Sequence, residues 1–496
     1  MAEIQYFPRF CWIYDCVEVG VAETGADGRF DRRVWESCFN PNHNYYIWVE
    51  YLINGVWEAV YKPSYCAGAF WNYACGIDIT ITVTDPRVPL SCRPTVTGSF
   101  VEIVSVGTHG FISQIQQPAA NAVTLARSPL SGNDGLVNLA LGDGAGYRPF
   151  GTVLPIYANF GDAFPSTDAT HYRMSYKKHV DDGAVETNWH PLSTTSLSRG
   201  YREEITVGLI TTPVPKEFPL LDNDGVGYYK IPHEHAEDEP GLNSKCVWAN
   251  DVFIIGNFNT LATDIPIENT FYDIRVELYK KFSPTDYRLA NVAKTVYQMP
   301  VLNVMNLEIG SKPCDDNYLT FVTKGGITTP AFMMTIRIDN NPCTAHIENV
   351  TINNTPADDE CGFLNYGDVN QAAQLQFKAN HPNDFATYDL RVVRGNNHDM
   401  LGLESRGNVG DTTGSPLNGY ANSDIALPPP HDRTFTKTTT VSHLVAGLSA
   451  VCDGKAAFAQ RLHVWATATN GTNRLSTYDA REQVAAFAIV PTTIPA

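Results

Sequence analysis

The sequence predicts an all-β chain: several tandem β-sandwiches with few short helices. Three observations carry this. Apolar residues alternate with polar ones at the period of a strand, turn signals recur at short intervals, and long apolar stripes of helical period are missing. Ile77, Ile79, Ile81 and Val83 alternate with Asp78, Thr80, Thr82 and Thr84, giving one apolar and one polar face. The run stops at Asp85-Pro86-Arg87, where proline cannot extend a central ladder. Upstream, Tyr45, Ile47, Val49, Tyr51 and Ile53 form an apolar row, Asn54-Gly55 follows, and a second aromatic run begins at Val56. Asn-Gly tolerates positive φ at both positions, so this stretch is expected to be a hairpin.

Turn signals recur at Asp27-Gly28, Asn133-Asp134-Gly135, Asp182-Gly183, Asn223-Asp224-Gly225, Asp339 to Pro342 and Asn470-Gly471. Only Ala119 to Arg127 and Asn370 to Phe377 have the composition for two helical turns. Three segments resemble one another: Thr170 to Tyr176, Thr270 to Val276 and Thr387 to Val393. Each reads as an inner strand with an aromatic residue near its start, and the spacing of about a hundred residues is that of a domain. The expected organisation is a sandwich over 1–92, a connecting β-rich segment over 93–149, a sandwich over 150–300 and a sandwich over 301–496. The last carries a long surface loop from Ala421 to Arg433.

Composition narrows the function. The chain has 496 residues, 43% hydrophobic and 18% charged, a balance for folding rather than disorder. Its net charge of −18, with no Lys/Arg cluster, argues against a nucleic-acid partner. No apolar run reaches the length of a membrane-spanning helix. The start lacks a basic segment followed by an apolar one. The expectation is therefore a protein that stays inside, or leaves without a cleaved signal, or derives from a longer precursor. Six of the 11 cysteines fall in the first 92 residues, which suits either a stapled domain or buried thiols.

The stretch Val19 to Phe30, followed by an aromatic strand, resembles the carboxypeptidase regulatory-like (transthyretin-like) β-sandwich. Thr24, Asp27, Gly28 and Phe30 match its turn-and-strand motif. The resemblance covers about the first fifth of the chain and extends to Tyr73 to Arg87, which looks like bacterial proteins carrying such a domain. It implies an accessory or structural module with no catalytic residues to carry over. The sandwiches are accordingly expected to be of the immunoglobulin-like or transthyretin-like kind.

Candidate sites are few. His233-Glu234-His235 puts two imidazoles on one face of an extended segment, with Glu237, Asp238 and Glu239 close behind. His233 and His235 are the metal candidates, and a solvated acidic loop is the plainer alternative. Asp222-Asn223-Asp224-Gly225 opens like a calcium loop but lacks the later bidentate Glu, so it reads as a turn. Gly142-Asp143-Gly144-Ala145-Gly146 is not followed by a helix start and reads as a connecting loop. No nucleophile elbow and no zinc-protease motif occurs. Trp57, Trp71 and Tyr73, in an aromatic-rich stretch, are the ligand-binding candidates, able to stack on sugar rings or anchor a partner. Core packing is their alternative role.

These features lead to a non-enzymatic structural or assembly protein without a cofactor. It is expected in an extracellular, filamentous or phage-tail-like particle, with protein partners or copies of itself. A carbohydrate-binding or adhesive surface protein, with a glycan as partner, is the alternative. A hydrolase with an unrecognised centre between Phe150 and Pro300 is the third.

Overall fold

The computed structural model describes, in the first part of the chain, residues 2–6, 17–22, 43–53, 56–62 and 69–73. Beyond these it describes 100–140, 145–161, 168–179, 189–192, 197–207, 210–222, 227–232, 244–248, 252–262, 270–303, 308–357, 363–395, 398–400, 402–409, 419–422, 433–473, 475 and 481–492. The chain is all-β. Among the described residues the single α-helix is Val441–Val445, and none is long and apolar enough to cross a membrane.

The first strands form an antiparallel sheet in the order Val17–Ala22, Ala2–Tyr6, His43–Ile53, Val56–Tyr61, with Ala69–Tyr73 also paired to His43–Ile53. The Asn54-Gly55 hairpin is present: Ile53 lies opposite Val56 and Leu52 opposite Trp57. The strand at Ile77 to Val83 lies outside the described residues.

A sandwich follows, and its apolar core runs from Val101 to Ile338. One sheet orders Phe253–Asn259, Val153–Phe160, Val101–Val106, Tyr297–Leu302 and Glu308–Pro313. The other orders His190–Pro191, His171–Lys178, Thr270–Ser283, Ile327–Ile338 and Leu319–Lys324. Residues of the segments 93–149, 150–300 and the start of 301–496 thus contribute to the same two sheets. Their contact is long-range: Val101 pairs in parallel with Tyr297. A three-stranded sheet, Ile210–Pro219, Ser198–Val207 and Ser244–Trp248, accompanies this sandwich, and its Tyr201 and Phe218 enter the same core.

The second core joins residues from Cys343 to Ile489. Its sheets centre on Ala372–Asn380 paired with Thr434–Thr440, and on Ala386–Arg394, Ala456–Ala466 and Arg481–Pro491. In Ala372–Asn380 the buried residues are Ala373, Leu375, Phe377 and Ala379, every second position. That periodicity overrides the helix-favouring composition of Asn370 to Phe377, which is strand, not helix, from Ala372 on. Ala119 to Arg127 likewise forms turns and a bridge rather than helix.

The three similar segments are all inner strands, and Tyr172, Tyr272 and Tyr388 are buried. Two of them, however, are antiparallel neighbours in one sheet, with Met174 opposite Val276. Adjacent strands of one core share a burial pattern, so the spacing between them is not a domain period.

Candidate functional site

An open cleft of about 440 Å³ lies on the first of these two sandwiches, lined by residues 113–117, Asn138, Ala140, Tyr147, Asp315, Asn317 and Tyr318. Three segments far apart in sequence build it. Strand Val137–Ala140 buries Val137 and Leu139, which turns Asn138 and Ala140 outward. Asn138 is paired with Tyr147 on strand Ala145–Arg148, so the two are direct cross-strand neighbours. Of the Gly-rich stretch, Ala145 and Gly146 begin the second of these antiparallel strands, opposite Ala140 and Leu139, while Gly142 to Gly144 lie outside the described residues.

The opposite walls are pinned. The Tyr318 hydroxyl lies 2.8 Å from the carbonyl oxygen of Ile112 and 2.7 Å from that of Ile115. Burial pushes this phenol well above its ordinary pKa, so it stays a donor. Gln116 donates its backbone N–H to Leu136 O and accepts from Gly135 N. Beneath them Gln117 pairs with the Thr335 backbone at 2.8 and 2.7 Å. Arg127 reaches Thr335 Oγ1 at 2.6 Å and Asn317 O at 2.8 Å. Burial lowers the Arg127 pKa to about 10 against the pull of Asp273, leaving it a cation at neutral pH. Burial also pushes the Asp273 carboxyl up, but hydrogen bonds from His179 and Thr335 and the Arg127 charge outweigh it, and Asp273 titrates below its ordinary range. This charged floor fixes loop 113–135 onto strand Ile327–Ile338.

The cleft is equipped for binding. Among the described lining residues the one carboxylate, Asp315, is held by Lys312 at 2.9 Å, and there is no His or Cys. Two carboxylates or a nucleophile with a base, the usual hydrolytic sets, are not among its lining residues.

A second polar cluster centres on the buried carboxylate of Asp222. It takes His171 Nε2 at 2.8 Å, Lys281 Nζ at 2.7 Å and the Tyr287 hydroxyl at 2.8 Å. Thr170 Oγ1 lies 2.8 Å from His171 Nδ1, and Tyr228 stacks on Tyr287. Asp222 therefore ties strands together, while the rest of the turn expected there, Asn223 to Gly225, lies outside the described residues. Among the described residues no group of three metal-ligating side chains converges.

The two sandwiches meet at an interlocked junction. Segment Arg148 to Gly151 is hydrogen-bonded on one side to the first sandwich, Phe150 N to Arg337 O and Asp339 N to Phe150 O. On the other side it meets the second, Gly151 N to Thr469 O and Thr469 N to Pro149 O. Gly107 and Gly471, both at positive φ, pass backbone to backbone, and His109 and Gly110 donate to Gly471 O. Beside them His381 and Asp339 are both about 1% exposed. His381 Nδ1 accepts from the N–H groups of Asn383 and Phe385, so its proton sits on Nε2, donated to Asn341 O.

Trp57, Trp71 and Tyr73, singled out in the sequence, are not among the residues lining the cleft. His233 and His235 fall outside the described residues. Trp57 is on strand Val56–Tyr61, and Trp71 and Tyr73 are on Ala69–Tyr73. Trp57 sits opposite Leu52 and Tyr73 opposite His43, nine positions apart on one strand and on the order of 30 Å at about 3.3 Å per residue. Their closeness in sequence is not closeness in register. The six early cysteines are outside the described residues, while Cys314 and Cys343 are buried free thiols and Cys452 is a half-buried one. Sequence reading missed the cleft, since its only local signal was the pair of short strands around the Gly-rich stretch.

No family model matches the chain, and no curated protein matches it. Among solved structures the chain is similar to the crystal structure of CfaE, the adhesive subunit of the CFA/I fimbria of enterotoxigenic Escherichia coli. Identity is 6%, the match covers 81% of this chain and 92% of that one, and the TM-score is 0.18. A point mutant of the same adhesin matches at 7% identity, equal coverage and a TM-score of 0.17. Scores this low establish neither a common fold nor a common role.

Proposed function

We propose that this chain is a non-enzymatic structural or assembly protein, a subunit of an extracellular, filamentous or phage-tail-like particle that works through its surfaces. The observation that carries the reading is the junction. Domains within a chain ordinarily move relative to one another. Here backbone hydrogen bonds cross between sandwiches on both sides of Arg148 to Gly151, and two glycines interlock, so the pair behaves as one stiff body. Stiffness over two sandwiches suits a subunit that must hold its neighbours at fixed spacing.

The sheet edges supply contact surfaces. Leu319–Lys324 is an edge strand six residues long, with Phe321 37% exposed, and Phe253–Asn259 is another. Among the described residues no further strand pairs with these two edges, and edges of this length are templates for adding a strand from a partner. The transthyretin-like segment at the start would serve as an accessory module. Size fractionation of native material with quantitative mass spectrometry tests the proposal. The chain is expected in megadalton fractions with fixed partners; recovery only as a free chain would contradict it. The second reading, an adhesive surface protein, is favoured by the polar cleft.

A further inference from the structure

We propose that the cleft lined by Gln114, Gln116, Asn138, Tyr147, Asp315 and Asn317 is a binding site for a neutral carbohydrate. The inference rests on reading the chain as a surface-acting protein rather than an enzyme, and it names the ligand class.

Unspent hydrogen-bonding capacity is the first argument. The side chains of Ser113, Gln116, Asn138 and Tyr147 line the cleft and make no hydrogen bond to the described chain. Asn317 spends its Oδ1 on the Ala120 N–H, which leaves its amide N–H groups over. Gln114 Oε1 is buried and accepts nothing. An amide offers both donors and acceptors, the complement of a row of hydroxyls, each of which also donates and accepts. Buried polar groups normally find partners within the fold, so the unpaired Gln114 Oε1 points to an external partner, and the exposed amides and hydroxyls around it are free to take the same ligand.

Charge selects among polar ligands. Among the described lining residues there is no Lys or Arg, and the carboxylate of Asp315 is paired with Lys312 at 2.9 Å. The chain as a whole carries −18, which repels polyanions. Phosphate- or sulfate-bearing ligands would find no cation there. A peptide would need apolar pockets for its side chains, and apart from the two tyrosines the lining offers amides, Ser113, Asp315 and one small apolar residue, Ala140, beside the buried Ile115. A hydroxyl-rich neutral molecule meets neither obstacle.

Shape and rigidity agree. The volume of about 440 Å³ lies within the range of small-ligand sites, about 300–1,000 Å³. Tyr147 is 43% exposed beside Asn138, so an exposed aromatic side chain stands next to an amide. An aromatic face covers the C–H side of a sugar ring while amides take its hydroxyls. The Tyr318 bonds and the Arg127 anchor hold the walls in place before any ligand arrives, which reduces the ordering cost of binding.

Saturation-transfer NMR on the purified full chain, with a panel of neutral di- and trisaccharides of glucose, galactose, mannose and N-acetylglucosamine, tests this. At least one sugar is expected to bind. Asn138→Ala and Tyr147→Ala are each expected to weaken it by about tenfold, with the thermal midpoint unchanged because both side chains face solvent. Acidic, sulfated analogues are expected to bind more weakly. The inference is overturned if no neutral sugar gives transfer, if binding survives both substitutions, or if Trp71→Ala abolishes it while the cleft variants do not. A chain that tracks with large particles yet binds none of the panel overturns this inference and leaves the assembly reading standing.

Discussion

At Gly471 an added methyl group would land on the Val106 carbonyl oxygen, and the residue holds φ of +81°. Both facts matter, and they can be separated. Gly132 also has positive φ, +52°, but open space where its Cβ would be. Gly132→Ala therefore incurs only the backbone term, about 1–3 kcal/mol. Gly471→Ala adds an overpacking term of about 1–3 kcal/mol at the junction. Urea titration should show the larger loss for Gly471→Ala, and equal losses would contradict the interlock. His171 gives a pH signature. Burial holds its imidazole below its ordinary pKa, outweighing the attraction of Asp222. The folded state then binds fewer protons than the unfolded one around pH 6, so His171 opposes unfolding fully above about pH 6.5 and progressively less as pH falls towards its folded value. The urea midpoint of the wild type is expected to drop more between pH 7.5 and 5.5 than that of His171→Gln. Identical drops would show that His171 is not the titrating group. Neither residue was conspicuous in the sequence: Gly471 belonged to an ordinary Asn-Gly turn, and His171 to a strand whose buried partner lies 51 positions away.

Strands were the most legible element, because a two-residue period and an Asn-Gly turn are local signals. The hairpin at Ile53 and Val56 shows this. Elements failed where composition and period disagreed, as in Asn370 to Phe377. Edge protection is legible once the register is known. On Ile210–Pro219, Pro213, Pro215 and Pro219 share one parity and lie opposite Glu204, Arg202 and Ser198. A proline has no N–H to give the ladder, so these positions direct their nitrogens away from Ser198–Val207. The outer edge of this strand therefore lacks a run of donors and resists strand addition. Restoring two donors with Pro213→Thr and Pro215→Thr together is expected to increase concentration-dependent self-association in sedimentation velocity. An unchanged distribution would mean that this edge is covered in some other way. Among the described residues the end strands Leu319–Lys324 and Phe253–Asn259 of the first sandwich and Phe363–Tyr366 of the second carry no such run of prolines.

For the whole molecule, the class of architecture was legible and its wiring was not. Alternation and turns identify sandwiches, but no local pattern reveals that Val101 pairs with Tyr297, or that Gly107 meets Gly471. The cleft shares this property, since its walls at Ser113, Asn138 and Asp315 come together only when loop 113–135 is tied to strand Ile327–Ile338 through Arg127. The same long-range wiring makes two sandwiches one body, with a binding concavity on one of them and open edges beside it. These features are what the proposed assembly role rests on. Immunogold electron microscopy of native material, with antibodies against the full chain, tests that claim most directly. Gold particles at regular spacing along filaments or tail-like particles are the predicted result; label confined to dispersed single molecules would contradict it.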